Sequence, residues 1–69
     1  MIRETIQYIN HLGCYKTLDI IPQPDGLYFM AISYHGDVVS FERNCTEQRV
    51  QEFRKKILDH KIILAIKNR

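Results

Sequence analysis

LYFMAISYHGDVVSFER, residues 27–43, has the clearest secondary-structure pattern in the chain. Aromatic and aliphatic residues dominate both halves of this stretch, and such residues favour β-strands. His35-Gly36 separates the halves and suits a two-residue hairpin turn, because glycine accepts the positive φ that these turns require. The stretch therefore predicts a β-hairpin with strands over residues 27–34 and 38–43.

An earlier segment extends this hairpin into a three-stranded antiparallel meander. Residues 16–21 have the composition of a short strand, and the Pro- and Gly-containing segment 22–26 supplies the turn that follows it. Side chains alternate along a strand, so both hairpins place their apolar residues on one common face. The predicted face consists of Leu18, Ile20, Tyr28, Met30, Ile32, Val39 and Phe41.

Apolar periodicity predicts a helix before the meander. Ile2, Ile6, Ile9 and Leu12 recur every three or four residues and share one helical stripe. Gly13 follows at the position where a helix commonly ends in a left-handed residue. The first helix is thus expected to end near Leu12.

A second helix is predicted after the meander, and the segment behind it is ambiguous. Asn44 and Thr46 are alternative N-caps, and the inner stripe of the helix is Val50, Phe53, Ile57 and Leu58. In residues 60–69 the isoleucines favour a fourth strand, whereas the fit of Leu64 to the helical stripe favours helix, which we prefer slightly. The predicted fold class is a small α+β domain of order αβββα with an apolar C-terminal segment.

Length and composition describe one ordinary globular domain over residues 1–69. Of these residues, 45% are hydrophobic and 26% are charged, which is typical of a soluble domain with a single core. No apolar run approaches the roughly 20 residues that span a bilayer, and the polar N-terminus lacks the pattern of a secretory signal. We therefore expect a cytoplasmic protein without membrane association, in which Cys14 and Cys45 are reduced thiols.

Two sets of reactive side chains fail the patterns that catalysis or metal binding requires. The first set flanks the hairpin turn, where alternate side chains diverge: Ser33, His35 and Asp37. The second set lacks the paired spacings of strong zinc signatures: His11, Cys14, Cys45 and His60. Phosphate-binding and nucleophile motifs are absent as well. The sequence therefore predicts a protein that is not an enzyme and that needs no cofactor or metal.

Charge is distributed unevenly along the chain. Residues 1–42 carry two basic and five acidic side chains, a net charge of −3, whereas residues 43–69 carry eight basic and three acidic ones, a net charge of +5. A basic surface of this kind suits a polyanionic partner. Nucleic acid is therefore the alternative partner, and its candidate contacts are Arg49, Arg54, Lys55, Lys56 and Lys61.

The leading functional hypothesis depends on the sheet face opposite the helices. The predicted register places on that face Tyr15, Ile21, Leu27, Phe29, Ala31 and Val38. A solvated sheet face normally carries fewer large apolar side chains, so we expect a partner protein or a second copy of the chain to cover it. The hypothesis is a small regulatory or inhibitory module that binds another protein through this face and an open strand edge. Its candidate contacts are Tyr15, Ile21, Leu27 and Phe29.

The predicted order of elements resembles that of the double-stranded-RNA-binding domain. That family has a basic cluster at the start of its last helix, where this chain has Thr46-Glu47-Gln48-Arg49, and a distinctive first loop, where this chain has Pro22-Gln23-Pro24-Asp25-Gly26. The resemblance is therefore one of topology and assigns no role to any residue. In size and lack of motifs the chain also resembles small inhibitors that phages and plasmids encode, a likeness that depends on no particular residue.

Overall fold

The computed structural model describes residues 3–68 and contains five strands and one helix. In chain order they are β1 (Glu4–Ile9), β2 (Tyr15–Pro22), β3 (Tyr28–Tyr34), β4 (Asp37–Cys45), α1 (Glu47–His60) and β5 (Ile62–Asn68). The predicted αβββα order is wrong, because the described chain is mostly antiparallel sheet with a single helix. The resemblance to the double-stranded-RNA-binding domain depended on that order and is not supported either.

The five strands form one antiparallel sheet in the order β4-β3-β2-β1-β5. β4 and β5 are its two edges, and α1, which connects them, packs on one face of the sheet. We call the side that α1 covers the helix face and the opposite side the outer face. α1, the one helix within residues 3–68, is too short and too polar to cross a membrane.

The hydrophobic core lies between α1 and the helix face. Its most deeply buried side chains come from three different elements: Ile6 of β1, Leu18 of β2 and Val50 of α1. Each fully buried aliphatic side chain of this size contributes about 1.5–3 kcal/mol. The predicted core positions of the first two meander strands are confirmed, because all five face this core: residues 18, 20, 28, 30 and 32.

α1 agrees with the second predicted helix. Thr46 is its N-cap, since the Thr46 side-chain oxygen accepts a hydrogen bond from the backbone N–H of Arg49 at 3.1 Å. Asn44, the alternative cap, lies in β4 with φ of 55°, a left-handed conformation that asparagine tolerates. Val50 and Ile57 are buried, as their helical spacing predicted.

β1 replaces the helix that was predicted over residues 2–12. Ile6 and Tyr8 alternate along β1 and face the core, whereas Ile9 lies on the outer face. Over so short a segment a helical period and a strand period share several positions, so the apolar spacing was misleading. Ile2, the first residue of the predicted stripe, lies outside the described residues.

The C-terminal apolar segment forms β5, so our preference for helix there was wrong. β5 pairs with β1, with Ile66 opposite Ile6 and Ile62 opposite Ile9. Isoleucine favours strands, and the edge of β1 offers backbone donors and acceptors that β5 satisfies. Leu64, which a helix would have placed in the core stripe, occupies a β-bulge and is half exposed.

A bulge in β4 changes which side chains reach each face of the sheet. The pairing of β3 with β4 shifts register at Val39, which has no partner of its own in β3. Phe41 was predicted to face the core opposite Met30, but it lies on the outer face opposite Ala31. Glu42 takes the position opposite Met30 instead.

Candidate interaction surfaces

The outer face carries large apolar side chains that remain exposed within residues 3–68. Tyr15 is 65% exposed, Phe41 is 57% exposed and Ile62 is 64% exposed. Their exposure follows from the topology, because α1 packs on the helix face and β5 widens the sheet without crossing the outer face. Clustered apolar side chains on one face favour association with a second apolar surface.

One apolar patch, which we call the β3–β4 patch, contains Ile21, Phe29, Ala31, Val38 and Phe41. Ile21 and Phe29 are cross-strand partners, and the ring centroids of Phe29 and Phe41 lie 6.0 Å apart. The Arg43 guanidinium lies 5.3 Å from the centroid of the Phe41 ring. Cross-strand aromatic contacts of this kind hold side chains in defined positions, so the patch is a preformed apolar surface.

A second apolar patch, the β1–β5 patch, lies toward the opposite edge and contains Ile9, Tyr15, Ile62 and Leu64. Ile9 is opposite Tyr15 in β2 and opposite Ile62 in β5, so these three side chains form a row across three strands. Leu64 projects beside them from the bulge in β5. This patch is therefore continuous with the β5 edge of the sheet.

A polar band separates the two patches. Asp19 on β2 accepts hydrogen bonds from the Thr5 hydroxyl at 2.7 Å and from Arg3 Nη2 at 3.2 Å. Thr5 is buried, and its hydroxyl is satisfied by this bond. A partner that covers the whole outer face therefore has to match two apolar patches and a polar centre.

Three of the four predicted protein contacts lie on the outer face, but in different patches. Ile21 and Phe29 belong to the β3–β4 patch, whereas Tyr15 belongs to the β1–β5 patch. Tyr15 and Ile21 are six residues apart on β2, which corresponds to about 20 Å. Leu27 lies in the loop before β3, where its backbone N–H donates to Asp25 Oδ1 at 3.0 Å. A single compact interface cannot use all four residues equally.

Sequence reasoning missed three exposed outer-face residues: Phe41, Ile62 and Leu64. The isoleucine-rich composition of residues 62–66 was a signal for the last two, because it favours a strand. No signal identified Phe41, since the bulge at Val39 is not marked by glycine or proline.

Glu42 on β4 is bound by Arg49 on α1. Arg49 Nε and Nη2 donate to the two carboxylate oxygens at 2.9 Å each, and the Cys45 thiol donates to Glu42 Oε2 at 3.2 Å. These hydrogen bonds, that of Arg49 above all, lower the pKa of Glu42 to about 2. Burial, helped by the neighbouring carboxylate, raises the pKa of Cys45 to about 11. Cys45 is therefore a protonated core thiol and not an activated nucleophile.

Arg49 is one of the five predicted nucleic-acid contacts, and two others are also ion-paired. Arg54 Nε donates to Glu4 Oε1 at 2.8 Å, which links α1 to β1. Lys55 Nζ donates to Asp59 Oδ2 at 2.9 Å, one helical turn further along α1. Most of the basic charge on this helix is thus balanced within the protein.

Lys56 and Lys61 are the other two predicted nucleic-acid contacts. Neither forms an ion pair with a carboxylate in the part of the chain that the structure describes. Both line a cavity between α1 and the sheet. Lys56 and Lys61 therefore leave unbalanced positive charge near the end of α1.

The histidines and cysteines do not form a metal site in residues 3–68, where no three potential ligands lie close enough to share an ion. Cys14 is half-buried in the turn before β2, whereas Cys45 belongs to the core. At the hairpin turn, the centroid of the His35 ring lies 4.1 Å from that of the Tyr34 ring. Ser33 and His35 line one pocket on the outer face, but Asp37 is not among its lining residues.

No protein-family model, curated protein or solved structure matches the chain. We therefore infer function from these surfaces alone.

Proposed function

We propose that the protein is a non-enzymatic regulatory or inhibitory module that binds another protein through its outer face. The observation that supports this function is the pair of apolar patches exposed on a face that neither α1 nor β5 covers. Exposing such side chains to water does not stabilise a small domain, whereas burying aromatic and aliphatic anchors at an interface contributes binding free energy. Phe41 and Tyr15, one in each patch, are the anchors that we expect to contribute most.

The β5 edge extends the proposed interface. Ile62, Leu64 and Ile66 are all exposed on this edge strand, and no charged residue interrupts the run from residue 62 to residue 66. Edge strands of monomeric proteins usually carry charges or prolines that block pairing with another strand. A partner strand that adds to β5 would therefore be able to bury the β1–β5 patch at the same time.

The β4 edge suits strand addition less well. β4 carries Asp37, Glu42 and Arg43 and contains two register irregularities, and both features discourage strand addition. We therefore assign the β3–β4 patch a role in side-chain contact and the β5 edge a role in backbone pairing.

The test compares an outer-face variant with a matched control. Tyr15→Ser with Phe41→Ser removes one anchor from each patch, and Leu12→Ser with Val39→Ser removes two exposed apolar side chains that belong to neither patch nor to β5. The wild-type protein and the control should retrieve the same partner protein from an extract of the native cells, or form the same oligomer in sedimentation. The outer-face variant should lose this association while keeping the wild-type circular dichroism spectrum. Equal association by all three proteins would refute the proposal.

Nucleic-acid binding is the alternative function, and it has less support. Of its five candidate contacts, three are already paired with carboxylates, and these pairs would compete with phosphate. Phosphate binding releases counterions, so affinity for a short duplex has to fall steeply as salt rises. A duplex that binds with such a dependence, and that Lys56→Gln weakens, would favour this alternative.

A further inference from the structure

A cavity of about 320 Å³ lies between the C-terminal half of α1 and the helix face. Its lining residues come from α1, from the sheet and from the turn between β1 and β2. Small-molecule sites are usually about 300–1,000 Å³, and this volume corresponds to about ten water molecules of the liquid. The cavity therefore suits a compact ligand with one ring or a short aliphatic body.

Five ionisable side chains line this cavity, and they are three lysines, one tyrosine and one histidine. The lysines are Lys16, Lys56 and Lys61, and no aspartate or glutamate is among the lining residues. None of the three lysines has an ion-pair partner within residues 3–68. The positive charge of the cavity is thus left for a ligand to neutralise.

Lys16 is the strongest single indication of a ligand. It lies on β2, the central strand of the sheet, and it is half-buried on the helix face among core residues. Its Nζ atom lies 4.6 Å from the centroid of the Tyr34 ring. The ring offsets part of the free-energy cost of a partly buried cation without a counter-charge, and an anion in the cavity would offset more of it.

The acidic side chains of α1 and β1 that could neutralise the lysines are held elsewhere. Glu4 accepts from Arg54, and Asp59 accepts from Lys55. Glu52, one helical turn before Lys56, accepts from Gln48 Nε2 at 3.3 Å. The C-terminal end of α1 contributes a partial negative charge of about half a unit, which is small beside three lysines. The cavity therefore keeps a net positive charge.

The inner wall of the cavity is apolar and includes Ile32, Phe53 and Ile57. Tyr8 lines the same cavity, and burial raises the pKa of Tyr8. Its hydroxyl consequently stays protonated at neutral pH and remains a hydrogen-bond donor. An apolar wall, a phenolic donor and three cations together match an amphipathic anion.

We propose that this cavity binds a small organic anion whose carboxylate or phosphate is held by Lys16, Lys56 and Lys61, while its apolar body packs on Phe53 and Ile57. The site lies on the helix face, opposite the outer face, so it stands independently of the proposed protein interface. Lys61 Nζ lies 3.5 Å from His11 Nδ1, which ties the turn between β1 and β2 to the anion-binding end of the cavity.

The first experiment is a titration of the ¹⁵N-labelled protein at low salt with four probes, followed by heteronuclear NMR. Phenyl phosphate and phenylacetate carry both a ring and a charge, whereas inorganic phosphate lacks the ring and benzyl alcohol lacks the charge. One or both of the ring-bearing anions should bind with a Kd of about 1 mM or tighter and shift the amide signals of Ile32, Phe53 and Ile57. The ring-bearing anion with the lower Kd identifies the preferred head group as phosphate or carboxylate. Shifts confined to the outer face, or equal binding of benzyl alcohol, would overturn the proposal.

Adjacent lysines on α1 provide a matched pair of variants. Lys56→Gln and Lys55→Gln remove the same charge, but Lys56 lines the cavity and Lys55 is paired with Asp59 outside it. Lys56→Gln should raise the Kd for the better probe about threefold to tenfold, and Lys55→Gln should change it less than twofold. Equal weakening by both variants would show that only the overall charge matters and would refute a specific site.

Discussion

Replacing Leu18 by alanine should destabilise the protein several times more than replacing Leu64 by alanine. Leu18 is 0% exposed at the centre of the sheet, whereas Leu64 is 52% exposed on an edge strand. Truncating a buried leucine costs about 2–5 kcal/mol, because the lost transfer free energy adds to the cost of the cavity. Leu64 has lost only about half of its surface to packing, so its truncation should cost about 1 kcal/mol or less.

Urea unfolding followed by far-ultraviolet circular dichroism measures both changes. A domain of this length has a free energy of unfolding of about 3.5–10 kcal/mol, so Leu18→Ala removes a substantial part of it. With an m value of about 1 kcal/mol/M, the midpoint should fall by about 2 M or more for Leu18→Ala and by about 1 M or less for Leu64→Ala. Should Leu18→Ala not fold, Ile6→Val deletes a single buried methylene next to Leu18 and should cost about 0.5–1.5 kcal/mol.

Equal destabilisation by the two leucine substitutions would contradict this prediction. It would mean that Leu64 packs in the core, as it would if residues 62–66 continued α1 as a helix. The comparison therefore tests the assignment of β5, on which the exposure of the outer face depends.

Three further predictions concern the helix cap, the thiols and the dependence of the free energy of unfolding on acidic pH. Thr46→Ala removes the oxygen that accepts from the Arg49 N–H and should cost about 1 kcal/mol; an unchanged melting temperature would exclude this cap. Cys14 should be alkylated in the folded protein before Cys45, because burial raises the pKa of Cys45 to about 11; mass spectrometry would show equal labelling if this were wrong. The pKa of Glu42 is lowered from 4.5 to about 2, so its bond to Arg49 stabilises the fold above pH 4.5 and this contribution is lost as pH falls through 2. Glu42→Gln should therefore lose less stability than the wild type between pH 5 and pH 2, and parallel losses in urea titrations would contradict this.

Local sequence patterns predicted the central part of the fold but not its ends. The hairpin at His35-Gly36 was predictable because both turn residues accept positive φ, which is 53° at His35 and 84° at Gly36. α1 was predictable because its cap and its apolar stripe lie within one short window of sequence. The candidate site was predictable in part, because strand alternation placed Ile21 and Phe29 on the outer face. No local sequence pattern indicated the bulge at Val39, which moves Phe41 to the same face.

Local sequence patterns are enough to locate the apolar segments, the turns, the central hairpin and α1, because these features depend on neighbouring residues. Residues 4–9 and 62–68, in contrast, are strands because of their tertiary contacts. Each of these segments is short enough to bury apolar side chains either as a helix or as a strand. The choice depends on pairs such as Ile6 with Ile66, which are 60 residues apart, since each strand satisfies the backbone hydrogen bonds of the other. The same long-range pairing leaves the outer face exposed and α1 on the opposite side above the lysine-lined cavity.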